Sequence, residues 1–422
     1  MTWLSAPIRS VAQVVTGNTP PKSDEANYGN DVPWVKPPEL GSTEPIVATS
    51  EMLSVQGAER ARVLPKDAVL VSCIGSIGRV GIAGVPLATN QQINAVVCGP
   101  ALLPRFAMYW FMHSADALSA AANNAVVPIL NKGNFEKMPI PIWPLGEQSR
   151  VVELLDDADR LRRLRREAEA KALRILPTLF ERTFGKPFQD EHWPVLPLGE
   201  LLSTMRNGTT ADQNTSCKGY PVTRIETISA GVINPRRVRY VDMTYEEAAR
   251  WLLQKGDILF SHINSETHIG KTAIYQGSPE HLVHGMNLLL LRPDATRIDP
   301  TYLFALLNTP EVRTFYRSRC KRAVNQASLN QKDISSLPVP LPPLQEQQDF
   351  GALSRQVETI LGRESIAAEK LDELFELMLK QAFSGQLTAR WREAHIQESL
   401  TEMAQQAHAL NLPLPKEQEV LS

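Results

Sequence analysis

Two long stretches of the chain space their apolar residues in alternating steps of three and four. The first, from about Leu145 to Phe184, carries Val151, Leu154, Ala158, Leu161, Ala168, Ala172, Ile175 and Leu179. The second, from about Leu344 to Phe383, carries Phe350, Leu353, Val357, Ile360, Ala367, Leu371, Leu374 and Met378. Charged runs such as DDADRLRRLRREAEAK crowd the other faces. Each stretch predicts a long amphipathic helix with a heptad seam. Gly185 and Pro187 end the first. Alternating prolines precede each helix, PIPIWP from Pro139 and PVPLPP from Pro338. They forbid helix and favour an extended or polyproline-II lead-in. The offset is 338 − 139 = 199, and it holds without a gap through Phe184 and Phe383. Each seam is interrupted once, at Arg165 and Glu364, again 199 apart.

The segments before the two helices break into short apolar runs separated by Gly, Pro and Asn, such as DAVLVS (67–72) and INAVVCG (93–99), which read as strands and turns. PRFAMYWFMHSADALSAAA (104–122) reads as one buried helix. The second segment repeats landmarks of the first. LPKDAVLVS (64–72) answers LQKGDILFS (253–261), IGRVGIA (77–83) answers IGKTAIY (269–275), and QINAVV (92–97) answers GMNLLL (285–290). ILNKGNF (129–135) answers SLNQKDI (328–334). The expected division is a globular domain at 1–144, a helix at 145–185, a second globular domain at 186–343, a helix at 344–390 and a polar tail at 391–422. A short helix is expected near Ile396–Leu410.

Composition narrows the function classes. The 44 basic and 46 acidic residues give a net charge of −2, less basic than a free-standing nucleic-acid binder usually is. Positive charge must be local or supplied by partners. Cys73, Cys98, Cys217 and Cys320 form no metal spacing and read as reduced thiols. The start MTWLSAPIRS has no signal-peptide character, and no apolar run approaches a membrane span, so a cytoplasmic protein is expected.

Enzyme signatures are approached and not met. SETHIGKT (265–272) has Ser265 where a phosphate-binding loop needs glycine. His262, His268, His281 and His284 cluster without a metal-ligand pattern and read as core or surface histidines. The Pro-Pro pairs in NTPPKS, VKPPEL and PLPPLQ do not fit the [ND]PP[YFW] tetrapeptide of amino-methyltransferases. The chain reads as non-catalytic, with no cofactor and no metal of its own.

A helix of about 40 residues rises roughly 60 Å at 1.5 Å per residue. Its seam needs cover, and its own repeat is the nearest partner. Antiparallel pairing would place a pseudo-two-fold axis at the middle, with Arg165 and Glu364 meeting as a register-setting pair. Alternatively both side chains snorkel out of the seam. Two heads at fixed spacing match the way dimeric proteins read DNA half-sites.

With its doubled P-[IV]-P-[IL]-x-P-L-x-E-Q lead-in, its helices ending near Phe184-Gly185 and Phe383-Gly385, and two diverged segments, the chain resembles the specificity subunit of Type I restriction-modification systems. The resemblance covers the chain to about Arg392. It implies two globular target recognition domains of α/β (α+β) class, joined by an antiparallel intramolecular coiled coil. It implies that each domain reads one half of a bipartite double-stranded DNA target. The helices would dock two adenine-methyltransferase subunits that use S-adenosylmethionine, and motor-nuclease subunits would join the complex. A standalone recognition or scaffold module without methyltransferase partners is the competing expectation.

Base contacts need polar side chains on loops. In the first head Asn18, Thr19, Lys22, Lys36, Ser76 and Arg79 meet that requirement. In the second, Asn207, Thr209, Thr210, Arg224, Asn264, Ser265 and Lys271 do. Lys36 and Arg224 follow comparable strands, VPWVK and YPVTR. RSRCKR (317–322) and RRVR (236–239) are candidate phosphate contacts or solvated faces. Asn131 and Asn330 read as turn or capping residues rather than base readers. Glu147-Gln148 and Glu346-Gln347 read as helix-start residues, with partner docking as the alternative.

Overall fold

The computed structural model describes residues 4–123, 127–172, 174–189, 192–228, 231–265, 268–323 and 326–412. Of these, 362–366 are described as helix backbone only, and 322, 323 and 326 as strand backbone only. The chain divides into two compact units, residues 1–166 with 367–422, and residues 167–366. Each unit holds one globular segment and part of both long helices.

The first unit is built on a five-stranded sheet in the order Ala12–Thr16, Ile93–Cys98, Val69–Ser72, Val80–Ala83, Pro45–Ile46. All pairs are antiparallel except the last. Successive residues of a strand point to opposite faces. Val69 and Val71 accordingly join a core with Phe106, Tyr109 and Phe111, while Ala68 and Leu70 join a second core with Val35, Leu64 and Leu87. A sheet buried on both faces explains the unbroken apolar run AVLV (68–71).

The second unit repeats this order with four antiparallel strands, Leu202–Asn207, Leu289–Pro293, Ile258–Phe260 and Thr272–Ile274. Ile258 and Phe260 face the helices, and Leu259 faces the opposite core. The sequence landmarks are therefore the same strands in the same order.

Helices follow the sheet in both heads, Pro104–His113 and Ala115–Ala120 in the first, Pro300–Leu307 and Pro310–Arg319 in the second. The single helix expected over 104–122 is thus two, with Ser114 stepping out of helical geometry between them. Asn131 and Asn330 cap the short helices Lys132–Phe135 and Gln331–Ser335, their side chains accepting from Asn134 N and Asp333 N. The proline lead-ins are strands. Pro139–Ile142 pairs with Leu4–Pro7, and Pro338–Pro340 with Val195–Pro197, so each head closes its own ends.

The second long helix runs unbroken from Leu344 to Phe383, as expected. The first does not. It is a helix at Leu145–Ala172 and another at Ile175–Phe184. Pro177 is the physical reason. Proline has no N–H and is tolerated only in a first turn, which is where the break places it; its counterpart 199 residues on is Glu376.

In the first unit Val151 and Leu155 share a core with Phe375, Leu379 and Ala382. Arg162 lies over the Phe375 ring at 4.0 Å and donates to Asp372 at 2.8 Å, and Arg166 donates to the same carboxylate. Residue numbers rise along one segment as they fall along the other, so these two segments run antiparallel. In the second unit Phe180 stacks on Tyr302, and Phe180 meets Phe350, and Phe184 meets Tyr302 and Phe350, edge to face. The buried face is not the expected seam. Val151 and Phe350 are buried, but Leu161 is 53% exposed and Ile360 57%, with Ile175, Leu353 and Leu374 also exposed. The helices pack against the heads, and that contact selects Val151, Leu155 and Asp159 at steps of four. The side chain of Glu364 lies outside the described residues, and the expected Arg165–Glu364 pair with it.

The links from head to helix are equivalent but use exchanged chemistry. Arg105 donates to Asp156 at 2.9 Å in the first unit. In the second, Arg355, which stands 199 after Asp156, donates to Thr301.

The tail is not merely polar. Its helices, Ala389–Ala394 and Ile396–Ala409, pack within the first unit. Gln406 donates to the carbonyls of Ala101 and Trp143, and Glu402 accepts from Gly146 N. Gln148 and Gln347 are buried and tie the helix starts to Leu103 N and Asp299 N. Glu147 is buried against Arg392, whereas its counterpart Glu346 is exposed.

Candidate nucleic-acid interface

In the first head the chain leaves Ala12–Thr16 and passes beside Thr89, with Asn18 N donating to Thr89 O. The Asn18 side chain is committed to Arg60 O and Arg62 N. Thr19 donates to Gln91 at 2.5 Å, and Lys22 is exposed. Strand Val32–Val35 then delivers Lys36 to the start of a 3-10 turn, Pro37–Glu39. Lys36 pairs with Glu51, sits 4.7 Å from the Trp34 ring centre, and its N–H donates to Glu39. Arg79 closes the other end of that turn by donating to Pro38 O and Leu40 O. Ser76 is exposed on the preceding loop. Lys36 and Arg79 therefore flank one turn, with Asn18 behind it through Trp34 Nε1 and Asn18 O at 3.4 Å.

The second head builds the same feature differently. Thr209 N donates to His284 O, and Thr209 is 6% exposed with its hydroxyl accepting from Ala211 N. It shapes the turn, while Asn207 and Thr210 on either side are exposed. Strand Tyr220–Val222 leads to Arg224, ahead of the 3-10 turn Ile225–Ile228. Arg224 is ion-paired to Glu226 at 2.9 Å and donates to Gln213 at 3.0 Å. Beside it opens a cleft of about 330 Å³ lined by Glu226, Ser261, Asn264, Ser265, His268 and Lys271. Asn264 donates to Ser261, and Ser265 meets His268 at 2.9 Å. Three of the expected residues, Asn264, Ser265 and Lys271, thus share one cleft; Asn207, Thr209 and Thr210 do not line it.

Two acids and an amide hold the two cations: Glu51 pairs with Lys36, and Glu226 and Gln213 with Arg224. Glu226 stands two residues beyond Arg224, whereas Glu51 and Gln213 are brought in by the fold. His262 and His284 are buried core groups, whereas His268 and His281 are exposed. Burial lowers the pKa of His262 and takes that of His284 to about 4, and His284 Nε2 lies 3.1 Å from Leu288 O. Among the described residues no cluster of His, Cys, Asp or Glu could hold a metal ion, and no helix is long and apolar enough to cross a membrane. The basic runs stay at the second head's surface, where Arg236, Arg237 and Arg317 are exposed and Arg319 stacks on Phe315.

Residues 2–172 and 190–360 each match the Type I restriction modification DNA specificity domain. A putative type I restriction enzyme MjaX specificity subunit of Methanocaldococcus jannaschii is 46% identical over 195 residues, 46% of each chain. The EcoKI specificity subunit of Escherichia coli is 26% identical over 428 residues, covering 92% of this chain and 90% of that one. The crystal structure of a Type I system S subunit from M. genitalium has a TM-score of 0.54 at 16% identity, covering 90% of this chain and 96% of that one. A structure described for complex assembly of the type I R-M system has a TM-score of 0.55 at 20% identity, over 91% and 98%.

Proposed function

The chain belongs to the Type I restriction modification DNA specificity family, and from that we propose that each of its two heads reads one half of a bipartite double-stranded DNA target. The observation that carries this is the duplication itself: two heads with one strand order, each presenting a loop-borne cation at the same position. The role is recognition, and the chemistry belongs to partner subunits.

The long helices serve as the spacer that sets the gap between half-sites. They also dock two adenine-methyltransferase subunits, through which motor-nuclease subunits join. Exposed Leu161, Leu164, Leu374 and Leu377 in one unit, and Ile175, Leu353 and Ile360 in the other, support such docking. Apolar residues gathered on an exposed helix face mark interaction surfaces. Near-neutral net charge is consistent with partners supplying much of the phosphate contact.

Co-purification with a methyltransferase, together with sequencing of methylated adenines, tests this reading. The expected result is a bipartite motif that vanishes on deletion of the gene. Absence of the partner and of any such motif overturns it and favours a standalone adaptor.

A further inference from the structure

We propose that Lys36 in the first head and Arg224 in the second each read a guanine in their half of the target, and that Glu51 and Glu226 are positioning residues that aim them. This rests on the recognition reading above.

The two cations occupy one structural post. Trp34 pairs in parallel with Ala88, and Val222 in parallel with Val283. Two residues beyond those pairings stand Lys36 and Arg224. In each case a 3-10 turn follows, and the cation's own N–H donates to a side chain three residues on, Glu39 or Thr227. The preceding loops match as well, through Asn18 N to Thr89 O and Thr209 N to His284 O.

Each cation is held by groups that phosphate binding would not call for. Duplex DNA carries about one negative charge per 1.7 Å of axis. A carboxylate facing it weakens affinity unless it accepts from a base amino group or orients a cation. Glu51 and Glu226 do the latter. Lys36 is further fixed over the Trp34 ring and Arg224 by Gln213. Glu226 lies against Nε and Gln213 against Nη1, which leaves Nη2 with no partner among the described residues. An arginine held in this way keeps the second N–H of Nη1 and those of Nη2 for a ligand, and the base edge with two matching acceptors is guanine O6 and N7. Lysine at the equivalent post reaches the same atoms as a single point charge.

The test is methylome sequencing of the complete complex, co-expressed with its modification subunit in a host that lacks adenine methylation. Arg224→Gln is expected to replace one guanine of one half-site by adenine, because glutamine matches adenine N6 and N7. Glu226→Gln is expected to relax that same position by about tenfold. Lys36→Gln and Glu51→Gln should act at one position of the other half. Retention of every guanine in all four variants overturns the proposal, as does relaxation spread evenly over a half-site. Loss of methylation in both members of a pair also overturns it, since replacing a positioning carboxylate by its amide should loosen aim without abolishing binding. A wild-type complex with no bipartite motif would instead defeat the functional reading.

Discussion

Arg392 Nη2 lies 2.6 Å from Glu147 Oε1, and the two side chains are 10% and 0% exposed although 245 residues apart. Thr388 also donates to that carboxylate at 2.6 Å. The pair ties the tail to the first turn of the first long helix. Removing one member of a buried ion pair leaves the other charge uncompensated. Arg392→Ala is expected to destabilise the first unit by about 3–5 kcal/mol, the range for breaking such pairs. Glu346→Ala, at the exposed counterpart, should stay within about 0.5 kcal/mol. Urea unfolding of the two variants checks this; equal effects would mean that the tail contributes nothing specific.

Asp372 accepts from Arg162 and Arg166. Burial alone would raise its pKa, but these hydrogen bonds and the two positive charges bring it below the ordinary aspartate value. A depressed carboxylate adds stability above its unfolded pKa and loses it as pH falls through the folded one. Asp372→Asn should therefore cost up to about 1 kcal/mol at pH 7, the ceiling for a half-exposed pair. The difference from wild type should vanish in acid, below the ordinary aspartate range. Urea titrations at a series of pH values read it directly.

Glu358 has the opposite sign. Burial raises its pKa, with Arg355 offsetting part of the effect. A raised carboxyl favours the fold while protonated and opposes it as pH rises through the folded value. Glu358→Gln is expected to stabilise the second unit at neutral pH by on the order of 0.5 kcal/mol, and to be neutral at low pH. Thermal melting at pH 7 and pH 4 would show the gain at the higher pH only.

Leu161 and Leu374 are about half exposed on their helices. Leu161→Glu and Leu374→Glu should leave the melting temperature within a few degrees of wild type, as exposed substitutions do. Both should lower recovery of the methyltransferase in a pull-down. Unchanged recovery would remove the helix face from the docking surface.

Much of this was legible in the chain. The proline lead-ins, the 199-residue offset and the landmarks LPKDAVLVS and LQKGDILFS located the repeat, because period and turn residues act locally. Asn131 and Asn330 were legible as caps for the same reason. The break before Ile175 could have been read from Pro177, whose missing N–H admits only a first-turn position.

The faces of the long helices could not be read in that way. A heptad pattern states that a helix has an apolar stripe and not what will cover it. Packing against the heads buried Val151, Leu155 and Asp159 and left Leu161 and Ile360 exposed. Glu51, Gln213 and Arg392, partners of Lys36, Arg224 and Glu147, lie on segments whose approach depends on the folded sheet. Sequence by itself determined the twofold plan and the elements, since propensity, capping and proline chemistry are properties of neighbours along the chain. Only the tertiary structure decided which carboxylate meets which cation and where the tail rests, because those energies depend on burial and distance between residues the chain does not place side by side.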